Sequence, residues 1–138
     1  MPEFVVDASA TLAWFFRDEA VGWVDAFFQQ FKTAKHGIVP RHWAFEVANS
    51  FVVAMRRGRL TKQALSRNLD ALRALPIYTD MTGDAAIFTT IVALAEQHGL
   101  TVYDAAYLEF AMRSRLPRAT LDSDLRAAAA SAGITLVK

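Results

Sequence analysis

The sequence predicts an α/β protein in which helices cover both faces of a parallel sheet. Three observations lead there. Short apolar segments alternate with helical ones along the whole chain. The short segments lack the polar alternation of a half-solvated strand. Glycines and capping residues, rather than proline- or serine-rich linkers, punctuate the series. At 138 residues the expectation is one domain spanning residues 1–138, with no internal repeat.

The elements follow in order. Phe4-Val5-Val6 reads as a buried strand ending at Asp7. A helical stretch carries Leu12, Trp14, Phe15 and Phe16, and a second carries Trp23, Phe27, Phe28 and Phe31. Residues 37–40 form a short strand closed by Pro40. Residues 41–57 form a helix, with Gly58 suited to its C′ position. Thr61 caps the next helix, which stops before Pro76. Residues 77–79 form a strand and residues 84–98 a helix stopped by Gly99. Thr101 opens a helix that ends near Arg115. Residues 119–121 are a strand, 123–132 a helix with Gly133 behind it, and 134–137 a last strand.

Hydrophobic residues at 54% and charged residues at 21% exclude a disordered chain. The absence of cysteine excludes disulfides, thiolate metal sites and a cysteine nucleophile. Fifteen Lys+Arg against fourteen Asp+Glu exclude a basic arm that holds nucleic acid by charge alone. No apolar run reaches the roughly 20 residues that span a bilayer. Asp7 interrupts the N-terminal apolar run where a signal peptide would continue it. The expectation is a cytoplasmic protein with no membrane partner.

Parallel sheets place ligands beyond the carboxyl ends of their strands, so acids there are the residues to inspect. Asp7 ends the first strand and Asp122 follows the strand at 119–121; each also fits a helix N-cap. Asp104 fits a capping box with Thr101, but heads a helix whose Ala105, Ala106, Tyr107, Leu108, Phe110, Ala111 and Met112 leave almost no polar face. Glu46 is mid-helix, on a stripe with His42, Asn49 and Ser50, opposite Ala44, Val47, Ala48, Phe51, Val52 and Met55. That stripe is either solvated or the wall of a cleft. Brought together, such carboxylates raise one another's pKa, and a hard divalent cation relieves the repulsion. Oxygen-only ligands favour magnesium or manganese over zinc. With the four set aside, fifteen basic residues face ten acidic ones, so a polyanion would meet a basic rim around an acidic centre.

The segments Phe4-Val5-Val6-Asp7-Ala8-Ser9, Phe45-Glu46-Val47-Ala48-Asn49, Thr101-Val102-Tyr103-Asp104-Ala105-Ala106-Tyr107-Leu108 and Ala119-Thr120-Leu121-Asp122-Ser123-Asp124-Leu125 resemble, in order, the motifs of PIN-domain ribonucleases, and among them the VapC-type toxins of toxin–antitoxin pairs. The resemblance covers essentially the whole chain. It implies a three-layer α/β/α sandwich with a five-stranded parallel sheet. It implies a magnesium- or manganese-dependent endoribonuclease that cleaves RNA phosphodiester bonds with metal-activated water, leaving 5′-phosphate and 3′-hydroxyl ends. Carried over by position, Asp7, Glu46, Asp104 and Asp122 are the catalytic and metal-binding quartet. Ser9, Asn49, Thr120 and Asp124 are auxiliary. Pro117-Arg118 departs from the pattern, which more often has an apolar residue after the proline; this is expected to alter the rim and hardly touch the chemistry. The implied partners are RNA, a VapB-type antitoxin and a second copy of the chain.

Outside the quartet, His42 is expected at the rim and His98 at a helix C-terminus. Arg56, Arg57 and Arg59 form one basic helix-end cluster, and Arg113, Arg115 and Arg118 another. The aromatic excess in residues 14–31 is expected to leave apolar surface for a partner. Two other classes compete. An aspartyl-phosphate enzyme of the haloacid-dehalogenase kind would need a second aspartate where Ser9 stands; a receiver-like protein would need more than Thr79-Asp80 and Val137-Lys138. A non-catalytic binding module with the same fold would have no need of the intact quartet.

Overall fold

Apolar residues on both faces of a strand demand cover on both faces, and β1 (Glu3–Val6) has it: Phe4, Val5 and Val6 are all buried. The computed structural model describes residues 3–16, 22–33, 35–81 and 83–137. β1 lies between β2 (His36–Val39) and β4 (Arg118–Ala119), and β3 (Ile77–Thr79) flanks β2, giving the order β3-β2-β1-β4 with every pairing parallel. Val5 is in register with both Ile38 and Arg118, and Val6 with Ala119. At Gly37 a Cβ would lie 3.2 Å from Ile77 and from the Phe31 ring, so glycine there permits the close approach.

The α/β class and the parallel sheet match the sequence reading. The expectation of five strands does not hold among the described residues, where the sheet has four. Residues 134–137 do run beside β4: Arg118 N–H donates to Thr135 O (2.9 Å) and Val137 N–H to Arg118 O (2.9 Å). They pair through a single bridge, Arg118 with Leu136. β4 is only two residues long, so a fifth strand has little backbone to pair with.

The helices are α1 (Ala8–Phe15), α2 (Gly22–Gln29), α3 (Trp43–Arg56), α4 (Lys62–Ala74), α5 (Asp84–Ala86), α6 (Val92–His98), α7 (Val102–Ser114) and α8 (Ser123–Ser131). The helix expected over 84–98 is interrupted by a π-helical turn at Ile87–Ile91 between α5 and α6. Thr89 Oγ1 donates to Ala85 O (2.8 Å) inside it, a side-chain bond that competes with the regular backbone ladder. Gly99 ends α6 in the left-handed conformation, φ 64°.

Two clusters of buried side chains hold the molecule. One joins β1 to α1, α2, α3 and to Tyr107, Phe110 and Ala111 of α7. The other joins Ile91, Leu94 and Ala95 to Ala105 and Leu108 of α7 and to Ala128 and Ala129 of α8. α7 serves both, which is why its middle is buried nearly all round. Its first turn is not: Val102 and Tyr103 are exposed, as is Met112 near its end, contrary to the expectation of burial on nearly all sides. α3 likewise buries Trp43, Val47, Phe51 and Ala54, while Ala44 and Ala48 face solvent.

The aromatic run of α1 is largely absorbed by packing. Trp14 stacks on Phe28 (4.6 Å between centroids), and Phe15 and Phe16 both contact Phe51. The exposed large apolar side chains lie elsewhere: Phe45, Tyr78, Met81, Phe88, Val92 and Tyr103 among them. No single helix of the described residues is long and apolar enough to cross a membrane.

Candidate active site

The site is built where β1 and β4 end side by side. Asp7 follows β1 and is 3% exposed. It caps α1, its Oδ1 accepting from Ala10 N–H (3.0 Å) and Ser9 Oγ (2.7 Å). Thr120, directly after β4, donates its hydroxyl to Asp7 Oδ2. The same Thr120 oxygen accepts from Asp122 N–H (3.1 Å) and lies 3.2 Å from Ser9 Oγ. Ser9 Oγ in turn accepts from Leu121 N–H (2.8 Å). Ser9 and Thr120 therefore sew two distant pieces of chain together around one carboxylate. Asp122 caps α8 through Leu125 N–H (2.9 Å), so capping and site placement coincide for it as for Asp7.

Glu46 stands in the first turn of α3, half-buried. Its Oε1 accepts from the Tyr107 hydroxyl (2.8 Å) and lies 3.3 Å from His42 Nε2. Asp104, half-buried in the first turn of α7, has its N–H held by Thr101 Oγ1 (3.1 Å).

Burial raises the pKa of Asp7, against the lowering influence of Arg118 and its hydrogen bonds. Burial also raises Glu46, with the charges of Asp104 and Asp7 adding to it. Burial raises Asp104, and the charges of Asp122 and Asp7 add there. The four carboxylates thus share one electrostatic field. Among the described residues, however, no three acids are gathered as tightly as in a formed metal site. Burial lowers His42, which favours the neutral imidazole beside Glu46, and raises the Tyr107 phenol, which stays a proton donor.

The auxiliary positions divide. Ser9 and Thr120 touch Asp7. Asn49 is exposed and borders a separate cleft with Phe16, Arg57 and Arg59. Asp124 is exposed in the first turn of α8. Two site residues escaped the sequence reading of roles. Tyr107 lies one helical turn after Asp104 in the same motif, and that spacing is the signal for it. Arg118, expected in a solvated helix-end cluster and at the rim, is instead fully buried at the start of β4. Its Nη2 is 3.8 Å from Asp7 Oδ2 and its guanidinium carbon 5.1 Å from the centre of the Tyr107 ring. An arginine inside an otherwise apolar strand was the signal. Arg113, from the same supposed cluster, pairs with Glu109 and Asp80 (both 2.8 Å). Lys138, weighed for a receiver-like protein, lies outside the described residues, as do Met1 and Pro2.

The donor set is oxygen-only, partly desolvated and mutually repelling, which suits a hard divalent cation. Hydrogen bonds from Ser9, Thr120 and Ala10 fix the Asp7 carboxylate within that set.

Such a fold and site define an α/β protein with an acidic centre at the carboxyl edge of a parallel sheet. The chain belongs to the PIN domain family, whose model matches residues 4–131, in agreement with the resemblance in its motifs. Ribonuclease VapC3 of Pyrobaculum aerophilum is 37% identical over 86 residues, 59% of this chain and 63% of that protein. The match thus spans less than two thirds of that relative. The crystal structure of PAE2754, also from Pyrobaculum aerophilum, is similar with a TM-score of 0.71 at 28% identity, over 99% of this chain and 84% of the other. FitAcB from Neisseria gonorrhoeae shares the fold, with a TM-score of 0.64 at 16% identity, over 98% of this chain and 96% of the other.

Thr120→Val tests the sewing of the site. Valine keeps the shape but leaves an Asp7 oxygen and Asp122 N–H without their partner. The expected cost is about 1–3 kcal/mol of stability, read by denaturant unfolding. A loss below about 0.5 kcal/mol would show that this hydroxyl orders nothing.

Proposed function

We propose that this protein is a divalent-metal-dependent endoribonuclease of the VapC type, the toxin of a toxin–antitoxin pair. The observation that carries the reading is Asp7, buried and hydrogen-bonded where β1 meets β4, within the field of Glu46, Asp104 and Asp122. The name of the VapC3 relative supports the substrate class. Asp7, Asp104, Asp122 and Glu46 are the residues that would hold magnesium or manganese. A cation held by them would polarise a phosphodiester and make water a better nucleophile.

The remaining roles belong to the chain itself. Ser9 and Thr120 fix the Asp7 carboxylate. Tyr107 holds Glu46, whose raised pKa makes it a better proton acceptor than a free glutamate. The partners in this reading are RNA, a VapB-type antitoxin and a second copy of the chain. The exposed Phe45, Met81, Phe88 and Tyr103 offer apolar surface to a protein partner. The place of action is the cytoplasm.

Sequencing of cellular RNA 5′ ends after brief expression tests the activity. New ends at defined positions, absent with an Asp7→Asn control, are expected; identical end profiles would overturn the reading.

A melt tests the metal. Asp7, Glu46 and Asp104 bind protons more tightly in the folded chain than in the unfolded one. Without a cation, their contribution to stability is fully present below the ordinary carboxylate range, near pH 4, and is lost as pH rises through the raised folded values. A cation binds the ionised form, so its stabilisation grows over the same window. Manganese at about 100 times its dissociation constant should add about 2.7 kcal/mol. The midpoint gain over chelator should be larger near pH 8 than near pH 5. A melt insensitive to millimolar Mg2+ and Mn2+ at both pH values favours a non-catalytic module.

A further inference from the structure

A buried guanidinium normally satisfies its five donors on carboxylates or carbonyls, because a charge taken out of water without hydrogen bonds is costly. Arg118 does not follow this. It is 0% exposed, and its Nε, Nη1 and Nη2 are all buried without a hydrogen bond. The distance to Asp7 Oδ2, 3.8 Å, is too long for one, and Tyr107 offers only the face of its ring. What surrounds this charge is the field of the acidic site: Asp7, Asp104 and Asp122 all act on it, and it acts on Glu46. The position belongs to β4, where an apolar side chain would pack between the same neighbours without the loss of hydration.

This geometry is that of a counter-ion, not of a structural salt bridge. A structural pair would be bidentate and close. Arg118 instead stands 3.8 Å from the Asp7 carboxylate and within electrostatic reach of Asp104 and Asp122. We propose that Arg118 is a resident counter-cation of the acidic site that lowers its affinity for divalent metal. The proposal rests on the metal-dependent reading above. Four formal negative charges are offset by one fixed positive charge that cannot leave. A metal entering the site is repelled by it, whereas a phosphodiester brings new negative charge to the same place. The arginine therefore couples tight metal binding to the presence of a polyanion.

The test is direct Mn2+ binding to the full chain, followed by electron paramagnetic resonance and calorimetry, without any activity measurement. Arg118→Met removes the charge and keeps an unbranched stem; Arg118→Lys keeps the charge. The methionine variant should bind Mn2+ about tenfold or more tighter than the parent, the scale set by a unit charge repelling a divalent one a few ångströms away even at water-like permittivity. The lysine variant should stay within about threefold of the parent. If the parent binds Mn2+ and Arg118→Met binds it equally or more weakly, the proposal is overturned while the metal reading stands. If neither protein binds Mn2+, the metal reading falls and takes this proposal with it. Should Arg118→Met fold only with Mn2+ present, that rescue supports the counter-cation role. Should it not fold at all, the polar neutral Arg118→Gln decides: a tightening of about tenfold supports the proposal, and parental or weaker affinity overturns it.

Discussion

Replacing Asp7 with asparagine should lower RNA cleavage by more than about 100-fold, beyond the 10–100-fold that follows loss of an outer-shell partner at a metal site. The fold should survive. Asparagine is nearly as good an N-cap as aspartate, so Ala10 N–H keeps an acceptor at the start of α1. What changes is charge. The nearest carboxylate to Arg118 is lost, leaving a buried guanidinium with weaker compensation. Burial, however, disfavours the ionised Asp7 by more than Arg118 favours it, and Asp104 and Asp122 still act on the arginine, so we expect the neutral asparagine to cost less than about 1 kcal/mol of stability near pH 7. Asp7→Ala should cost about 1 kcal/mol more through the cap. Gel-resolved cleavage of a defined RNA, beside urea unfolding curves for the same preparations, measures both effects. Parental cleavage by a folded Asp7→Asn protein would remove Asp7 from the chemistry.

The largest stability effect should come from Phe51→Ala. Phe51 is 0% exposed on α3, with the Phe15 ring edge-on at 5.3 Å and the Phe16 ring at 5.9 Å. Truncation opens a cavity walled by rings that cannot easily collapse, and the expected cost is about 3–5 kcal/mol. That is a large share of the roughly 5–15 kcal/mol available to a domain. Phe51→Leu, which restores most of the volume, should recover more than half of the loss. Because α3 also carries Glu46, with His42 at its N-cap position, the alanine variant should show a smaller Mn2+-dependent gain in midpoint than the parent while keeping its native helix signal. Chemical denaturation with and without Mn2+, followed by circular dichroism and tryptophan fluorescence, checks both. A cost under about 1 kcal/mol would show that the α1–α3 contact is not the packing unit described.

The parts of the fold legible in the sequence were those with a strong local cause. Phe4-Val5-Val6 had to be covered on both faces; Thr61 and Thr101 both accept from the backbone N–H three residues on, as their capping positions predict. The parts that were not legible depend on what a segment meets. Nothing in residues 134–137 says that β4 has only two residues to offer it. The π turn at Ile87–Ile91, where Thr89 turns its hydroxyl on Ala85 O, is an outcome that helical periodicity does not encode. The aromatics of α1 looked surplus because their partners, Phe28 and Phe51, lie on other helices.

The candidate site divides in the same way. Asp7 and Asp122 were visible because strand ends and helix caps coincide there. Glu46 was visible only as a polar stripe, and its tether to Tyr107 joins residues 61 positions apart. Asn49 shared that stripe, yet the helix turns it toward another cleft. Arg118 was misplaced because charge is the best sequence guide to exposure, and here the negative field around it overrides that guide.

The hydroxyl that holds Asp7 comes from a residue 113 positions downstream. During translation at about 5–20 residues per second, Asp7 is made roughly 6–23 seconds before Thr120 exists. Over that interval β1 can pair with β2 but not with β4, so one side of the acidic centre is missing. A ribosome most of the way through the message therefore carries a chain whose Asp7 still lacks the hydroxyl that fixes it.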